Sequence, residues 1–537
     1  MSKMFIPKDG GVIVLDTLPP IYVDQSGFIK LRPNYRYMDS VVYNFITKDT
    51  TVLNVIPKDT VVLNVVPKDT TILRIAYRDT LIYNITYKDT CVQSSEPNDP
   101  GPVDPGPTDP PPTTDRFDFT VQQRSLDNIA RPFGGIEYWH DQNIVNIPYT
   151  PADVYFRLSV CEVQTGRGVY NWSKFDRWFT RAVSRGQKLS FGFMTVYPSP
   201  PSDRRISYSG SYSAVPGFWF EDMQADGMPG WRSSNSGWIP NYNAPSYWKN
   251  LEDFHKAVYQ HLKDKGWLGW VNTVDVRGVG SFGEWHHYPY AQQMSAFPSG
   301  TRPTEASMKR IVDAHIRAFP DLWLVAMISG FDGNRLQNTM NPPGIRDYLL
   351  TVRNEKGLLG WRRDNWGATD SYITQYLSDP RALERWKYAP VLGEPCCNSG
   401  YGALPTQVSQ YHAVSFGNGN YGSVTASNVQ EAARAAGHKL TISSGYFESG
   451  KLVINWRNDG LTPIYEVFNV VIELRQGSQV RYSATRPLPW VMPGATQQIE
   501  TLTGLPSGSY ELHIFVKNEQ RAYPLGIVGS KVGDIKL

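Results

Sequence analysis

Residues 271–287 read VNTVDVRGVGSFGEWHH: a strand-like run of seven, then a glycine-rich stretch with Gly278, Gly280 and Gly283, then Glu284 flanked by Trp285, His286 and His287. The β-branched residues of the first part suit a strand. A strand that ends in a flexible turn carrying a carboxylate is a unit to look for again along the chain.

Working outward, seven further segments share the strand texture: GGIEY (134–138), DVYFRLS (153–159), KLSFGFM (188–194), LWLVAM (322–327), GLLGW (357–361), APVLG (389–393) and AVSFG (413–417). Between them lie helix-like stretches such as KFDRWFTRAVSRG, LEDFHKAVYQHLKDKG, EASMKRIVDAHIRAF and DPRALERWKY. Eight strands alternating with helices over residues 116–437 predict an α/β (β/α)8 TIM barrel, slightly enlarged. A doubly wound sheet is the competitor, but no G-x-G-x-x-G follows the first strand and no G-x-x-x-x-G-K-[ST] occurs. Nucleotide binding is disfavoured for the same reason.

The flanks have different textures, so the fold class is multidomain. Residues 35–94 repeat every ten positions, each copy placing an Asp (Asp39, Asp49, Asp59, Asp69, Asp79, Asp89) beside Ser or Thr and following it with β-branched residues. This predicts an N-terminal all-β decapeptide-repeat module over residues 1–94. Apolar groups on both strand faces need cover, which two readings supply: a stalk or docking module that forms a homo-oligomer such as a trimer, or a monomeric β spacer. Residues 95–115, SEPNDPGPVDPGPTDPPPTTD, form a Pro-rich linker. Residues 438–537 carry short strands separated by turns and predict a C-terminal β-sandwich, which either covers the barrel or holds an accessory carbohydrate site.

Composition narrows the partners. The 53 Lys and Arg against 50 Asp and Glu leave a net charge of +3, too balanced for a chain whose main partner is nucleic acid or an anionic membrane. No run approaches the apolar length of a membrane span, so no membrane insertion is expected. The N-terminal MSKMFIPKDGGVIVLD has too short an apolar core for a signal peptide. The 16 Trp in a 13% aromatic chain supply flat apolar faces that fill cores or stack on ligands. Cys91, Cys161, Cys396 and Cys397 are too few and irregular for a disulfide framework or a zinc site; the adjacent Cys396 and Cys397 are either two thiols or a vicinal disulfide.

In a barrel of this kind the site lies at the C-terminal ends of the strands. Glu284 follows the fourth strand and Glu394, in APVLGEPCCNSG, follows the seventh. Two carboxylates across a sugar-sized cleft are what cleavage of a glycosidic bond requires, one to protonate the leaving oxygen and one to attack or activate water. Arg157 at the end of strand two, and Arg363 with Asp364 after strand six, either bind a sugar or form structural ion pairs. Trp285 and His286 flank the first glutamate as substrate-binding candidates. His286 and His287 lack an H-E-x-x-H partner, so neither a metal nor any cofactor is expected. The insertion 195–249 carries Tyr197, Tyr208, Tyr212, Trp219, Trp231, Trp238, Tyr242, Tyr247 and Trp248 among polar residues. Its rings, Trp219 and Trp238 above all, either stack on sugar rings or fold inward as a small core.

The segments VYFRLSVCEVQTGRGVYNW, GVYNWSKFDRWFTRA, GSFGEWHH, GLLGWRRDNWG and VLGEP together resemble a family of glycoside-hydrolase-like barrels with a trailing β-sandwich. More distantly they are similar to the retaining glycosidase clan, whose catalytic glutamates end strands four and seven. The resemblance covers residues 116–537 and implies that Glu284 is the general acid/base and Glu394 the nucleophile. Where that clan usually has an Asn before its acid/base glutamate, this chain has Gly283. The layout of base, spacer and head also resembles viral tail fibres and tailspikes. That resemblance implies a glycoside hydrolase, extracellular or virion-associated, acting on a polysaccharide or cell-surface glycan. The alternative is a non-catalytic glycan-binding adhesin or structural virion appendage.

Overall fold

The computed structural model describes short strands within residues 13–87 and residues 116–537 apart from 141–148, 288, 291–295, 329–342, 367–376, 396–400 and 418–425. The repeat Asp residues, the Pro-rich segment, Cys91, Cys396 and Cys397 lie outside the described residues. The chain divides into two compact units, Met1–Asp109 and Pro110–Leu537. In the first, Ile13–Leu15, Leu18–Val23 and Ile29–Lys30 form one antiparallel sheet. In a second sheet Thr60–Val65, Thr70–Tyr77 and Thr80–Tyr87 run antiparallel, with Val42–Asn44 parallel to the first of them.

The second unit contains eight parallel strands: β1 (Gly135–Trp139), β2 (Asp153–Ser159), β3 (Lys188–Met194), β4 (Val271–Val276), β5 (Leu324–Met327), β6 (Gly360–Trp366), β7 (Val391–Pro395) and β8 (Ser415–Phe416). Their hydrogen-bonded order is β7-β6-β5-β4-β3-β2-β1-β8. Two backbone bonds close the ring between β8 and β7: Val414 N–H donates to Val391 O at 2.8 Å and Gly417 N–H to Gly393 O at 2.6 Å. Strands β2 and β3 are buried along their whole length, as expected where helices cover the outside and side chains fill the inside.

Helices pack on the outer face because their apolar residues recur at helical spacing. Helix α1 (Ser173–Val183) buries Phe175, Trp178, Phe179 and Ala182. Proline opens α2 (Pro245–Asp264), where a missing N–H costs nothing. The Thr304 side chain caps α3 (Glu305–Ala318) by accepting from Ser307 N. Their inner faces share one large apolar cluster with β2, β3 and β4.

Three positions differ from the sequence reading. Strand β6 runs to Trp366 instead of stopping at residue 361, so Arg363 and Asp364 lie within it; its WRRD segment looks too polar for a strand until its charges find partners inside the barrel. Strand β7 likewise includes Glu394. Residues 116–120, counted with the barrel by sequence, pair antiparallel with Leu440–Glu448 and bury Phe119 in the core of the C-terminal domain.

That domain is a sandwich of two four-stranded antiparallel sheets. One has the order Gly494–Thr501, Lys451–Asn458, Leu440–Glu448, Arg116–Thr120; the other has Gln479–Pro487, Asn469–Gln476, Ser509–Lys517, Lys531–Lys536. It docks where β2 and β3 begin. Arg521 bonds Asp153 Oδ1 and Glu466 Oε2, each at 2.6 Å, and Lys188 Nζ bonds Glu466 Oε1 at 2.8 Å. The sandwich therefore closes the N-terminal floor of the barrel and leaves the opposite mouth to the site.

Candidate functional site

Strand alternation decides which side chains enter the barrel. Tyr155 and Arg157 on β2, Arg362 and Asp364 on β6, Glu137 and Trp139 on β1, and Glu394 on β7 point inward, joined by Asp275 on β4 and by Arg277 just after it. Arg277 has room because Gly192 on β3 has no side chain; a Cβ there would lie 2.6 Å from Arg277 Cδ.

Glu284 is delivered by a loop that folds back on itself. Trp285 N–H donates to Val279 O at 3.1 Å and Ser281 N–H to His286 O at 2.7 Å. The Trp285 indole is fully buried, with Nε1 donating to Val276 O at 2.8 Å, which anchors the loop and turns Glu284 over the mouth. Gly280 adopts φ 78°, and a Cβ there would sit 2.2 Å from His286 O, so this close approach requires glycine.

The inward groups form one connected network. Arg157 Nη1 bonds Glu284 Oε1, while its Nη2 bonds Glu394 Oε1 and also Asp364 Oδ2, the latter at 2.9 Å. Arg362 bonds Glu137 Oε1 at 3.1 Å, Asp364 Oδ1 at 3.1 Å and Glu394 Oε2 at 3.2 Å. Arg277 bonds Asp275 Oδ2 at 2.7 Å and lies 3.6 Å from Asp364 and 3.9 Å from Glu284. The Tyr155 hydroxyl donates to Asp275 at 2.7 Å and accepts from Arg157 Nε at 2.6 Å and Arg277 Nη2 at 2.8 Å. Trp139 Nε1 donates to Glu394 Oε2 at 3.1 Å. His286 Nε2 lies 3.3 Å from Glu284 Oε2.

Glu284, Asp364 and Glu394 each bring an oxygen to within 4.8 Å of the others. The Glu284 side chain is 13% exposed and that of Glu394 9%, against 5% for Arg157 and 3% for Asp364. The two glutamates thus lie nearest solvent and the arginine beneath them. Burial works against the Asp364 carboxylate, but Arg157, Arg362 and Arg277 outweigh it and hold the carboxyl below its ordinary range. Burial drives the Glu394 carboxyl above its ordinary range, a rise that Asp364 and Glu284 reinforce and that Arg157 and Arg362 oppose without cancelling. The three donors aimed at its two oxygens suit the ionised form. The triad of carboxylates could in geometry hold a cation, but the guanidiniums already supply its positive charge.

The structure thus brings Glu284, Glu394, Arg157, Asp364 and His286 together, and it separates the other candidates from them. Arg363 points to the outer face of β6, where its Nη1 lies 3.3 Å from Gln407 Oε1. Trp285 is structural. Trp219 is fully buried with Nε1 donating to Gln164 Oε1 at 2.9 Å, and Trp238 packs against Tyr208 and Phe220 with Nε1 bonded to Tyr208 O at 2.9 Å. The insertion therefore folds inward as a small core, because burying its rings removes more apolar surface from water than display would. Half-buried rings nearer the mouth are Trp139, whose ring lies 4.9 Å from the Arg157 guanidinium carbon, and Tyr197 and Phe282, 5.5 Å apart. Reading by strand ends missed Glu137, Trp139, Tyr155, Asp275, Arg277 and Arg362; the alternation Y-x-R, D-x-R and R-x-D on β2, β4 and β6 is the signal that marks most of them.

No protein-family model matches the chain, and no curated protein matches it in sequence. Among solved structures it is similar to a glucosidase from Croceicoccus marinus, at 10% identity and TM-score 0.29, over 70% of this chain and 95% of that one. It is also similar to an engineered protein at 10% identity and TM-score 0.29, over 78% of this chain and 99% of that one. Similarity at this level carries no argument about activity. The class that the closed ring of eight parallel strands defines is a TIM-like α/β barrel.

Proposed function

We propose that the protein is a glycoside hydrolase acting on a polysaccharide or cell-surface glycan, with Glu284 as general acid/base and Glu394 as nucleophile. The observation that supports this best is the pair itself: two glutamates from β4 and β7, at the mouth, with oxygens within 4.8 Å. Retaining glycosidases need their carboxyl groups about 5 to 5.5 Å apart, since the second must reach the anomeric carbon while the first reaches the leaving oxygen. In this reading Arg157, Arg362 and Trp139 fix the Glu394 carboxylate for attack, and Glu284, nearer water, exchanges the proton. Trp139, Phe282 and Tyr197 offer faces for a sugar ring. No metal or cofactor is required.

One observation favours a second reading, a glycan-binding protein without turnover: the Arg157 guanidinium bonds both glutamates at once, which spends part of their hydrogen-bonding capacity. Glu394→Gln separates the two. An enzyme loses turnover by at least about a hundredfold while keeping glycan binding; wild-type protein that binds glycan and releases no sugar from it would refute the hydrolase reading. Oligomerisation through residues 1–94 and a virion setting are proposals that rest on sequence layout alone.

A further inference from the structure

The network in the barrel holds five carboxyl groups, of Glu137, Asp275, Glu284, Asp364 and Glu394, against three guanidiniums, of Arg157, Arg277 and Arg362. Full ionisation would leave two uncompensated negative charges in a water-poor interior, where an unpaired charge is costly enough that a group binds a proton instead. The question is which one.

Asp364 faces all three guanidiniums, Glu394 faces two and an indole N–H, and Glu284 is the most solvated. Asp275 has Arg277, the Tyr155 hydroxyl and, at 3.7 Å, Arg362. Glu137 is fully buried and meets one guanidinium, Arg362, through Oε1 alone; its Oε2 has no hydrogen-bond partner among the described residues. The other groups facing it are Asp275 from β4 and Ser190 from β3. The neighbouring strand β2 brings the buried Tyr155 phenol, which sits under the Arg362 guanidinium at 4.0 Å, and on the other side β8 pairs through Ser415 and Phe416 with Gly135 and Ile136 and adds no charged group. Asp275 Oδ1 likewise has no partner among the described residues, but Asp275 Oδ2 is held by Arg277 and the Tyr155 hydroxyl, whereas Glu137 has a single guanidinium that it shares with Asp364 and Glu394; Glu137 is therefore where a proton costs least.

We propose that Glu137 is carried as a neutral carboxylic acid in the folded protein and that it is a positioning residue, whose proton leaves Arg362 committed to Asp364 and Glu394. Ionised, Glu137 competes for that guanidinium and weakens its hold on Glu394. Burial pushes the Glu137 carboxyl up to about 7, against the pull of Arg362, in keeping with the geometry. The protonation stands apart from the hydrolase reading; its effect on turnover rests on that reading.

The test is infrared spectroscopy of the full chain labelled with carboxyl-13C glutamate at pH 6. A label-shifted carbonyl band of a protonated glutamate is expected in the wild type and in Glu394→Gln, and its loss is expected in Glu137→Gln. Absence from the wild type, or persistence in Glu137→Gln, overturns the proposal. Should Glu137→Gln fail to fold, survival of the band in both Glu284→Gln and Glu394→Gln supports it and loss in either overturns it. Unfolding near pH 6 should also release about one proton more from the wild type than from Glu137→Gln; equal pH slopes of stability count against it. Turnover should decline as pH rises through about 7 in the wild type and at higher pH in Glu137→Gln. An unmoved profile overturns the positioning role, whereas absent turnover in the wild type removes the hydrolase reading and leaves the infrared result to decide the proton.

Discussion

Replacing Arg157 by Met should expose how much the site depends on one guanidinium. Methionine keeps an unbranched side chain of comparable reach but removes the charge that ties Glu284, Asp364 and Glu394 together. Those carboxylates have oxygens within 4.8 Å of one another, so at an effective dielectric of about 20 each pair repels by about 3.5 kcal/mol. Arg362 and Arg277 compensate part of this, and removal of one partner from a buried ion cluster typically costs about 3 to 5 kcal/mol. We therefore expect Arg157→Met to lower the unfolding free energy by about that amount at pH 7.5. The loss should shrink at pH 5, because the crowded carboxyls then take up protons and the repulsion lapses. Urea unfolding followed by tryptophan fluorescence at the two pH values measures both numbers. A loss below about 1 kcal/mol at pH 7.5, or an equal loss at pH 5, would mean that the carboxylates are not held together by Arg157, and the account of the site would fail.

Other outcomes follow from the same structure. His255 and His315, with ring centroids 4.2 Å apart between α2 and α3, are buried neutral, and burial holds His255 well below the ordinary range and His315 at about 4. An unfolded histidine binds its proton near 6.5, so the stability these groups contribute is present above that pH and is lost as pH falls from about 6.5 toward 4, by roughly 2.3 kcal/mol per group at pH 4.8. His255→Leu should flatten that acid limb, and unfolding curves that stay parallel between pH 7 and 4.8 would show that the pair is not titrating. Gly280→Ala should displace the Glu284 loop and abolish turnover at a stability cost of about 1 to 3 kcal/mol, since its Cβ would meet His286 O at 2.2 Å in a left-handed backbone; unchanged turnover would remove the loop from the mechanism. Arg521→Met should cost about 3 to 5 kcal/mol by leaving Asp153 and Glu466 less than fully paired under the barrel, readable as a fall in melting temperature, and no fall would mean that the sandwich docks through apolar contact alone.

Most of the barrel strands were legible in the sequence because they are short, largely apolar runs bounded by turn residues, and β2 and β3 lie where their sequence texture places them. Where reading was poorest, at β6, the obstacle was charge: by sequence the strand ends at residue 361, with Arg363 and Asp364 after it as sugar-binding or ion-paired residues. Arg362 and Asp364 point into the barrel, so the segment is a strand only because carboxylates and guanidiniums from β1, β2, β4 and β7 await it. The aromatic insertion left two readings open, and the structure takes the inward one. Its Trp219 and Trp238 lie among Ser, Gly and Asn along the chain, which suggests display, while in three dimensions they fill a core with Phe220, Tyr208 and Tyr247.

The sequence by itself determined the class of fold and the two glutamates at strands four and seven, because strand and helix periods and glycine-bearing strand ends are local properties of the chain. Only the tertiary structure decided that these glutamates share one arginine, that Arg363 faces outward while Arg362 faces in, and that Glu137 stands beneath them with one oxygen unpartnered among the described residues. Those facts depend on the ring closing between β7 and β8. Closure brings residues more than two hundred positions apart to within a few ångströms, and pairing energies at that range are set by distance and burial, which no single segment encodes.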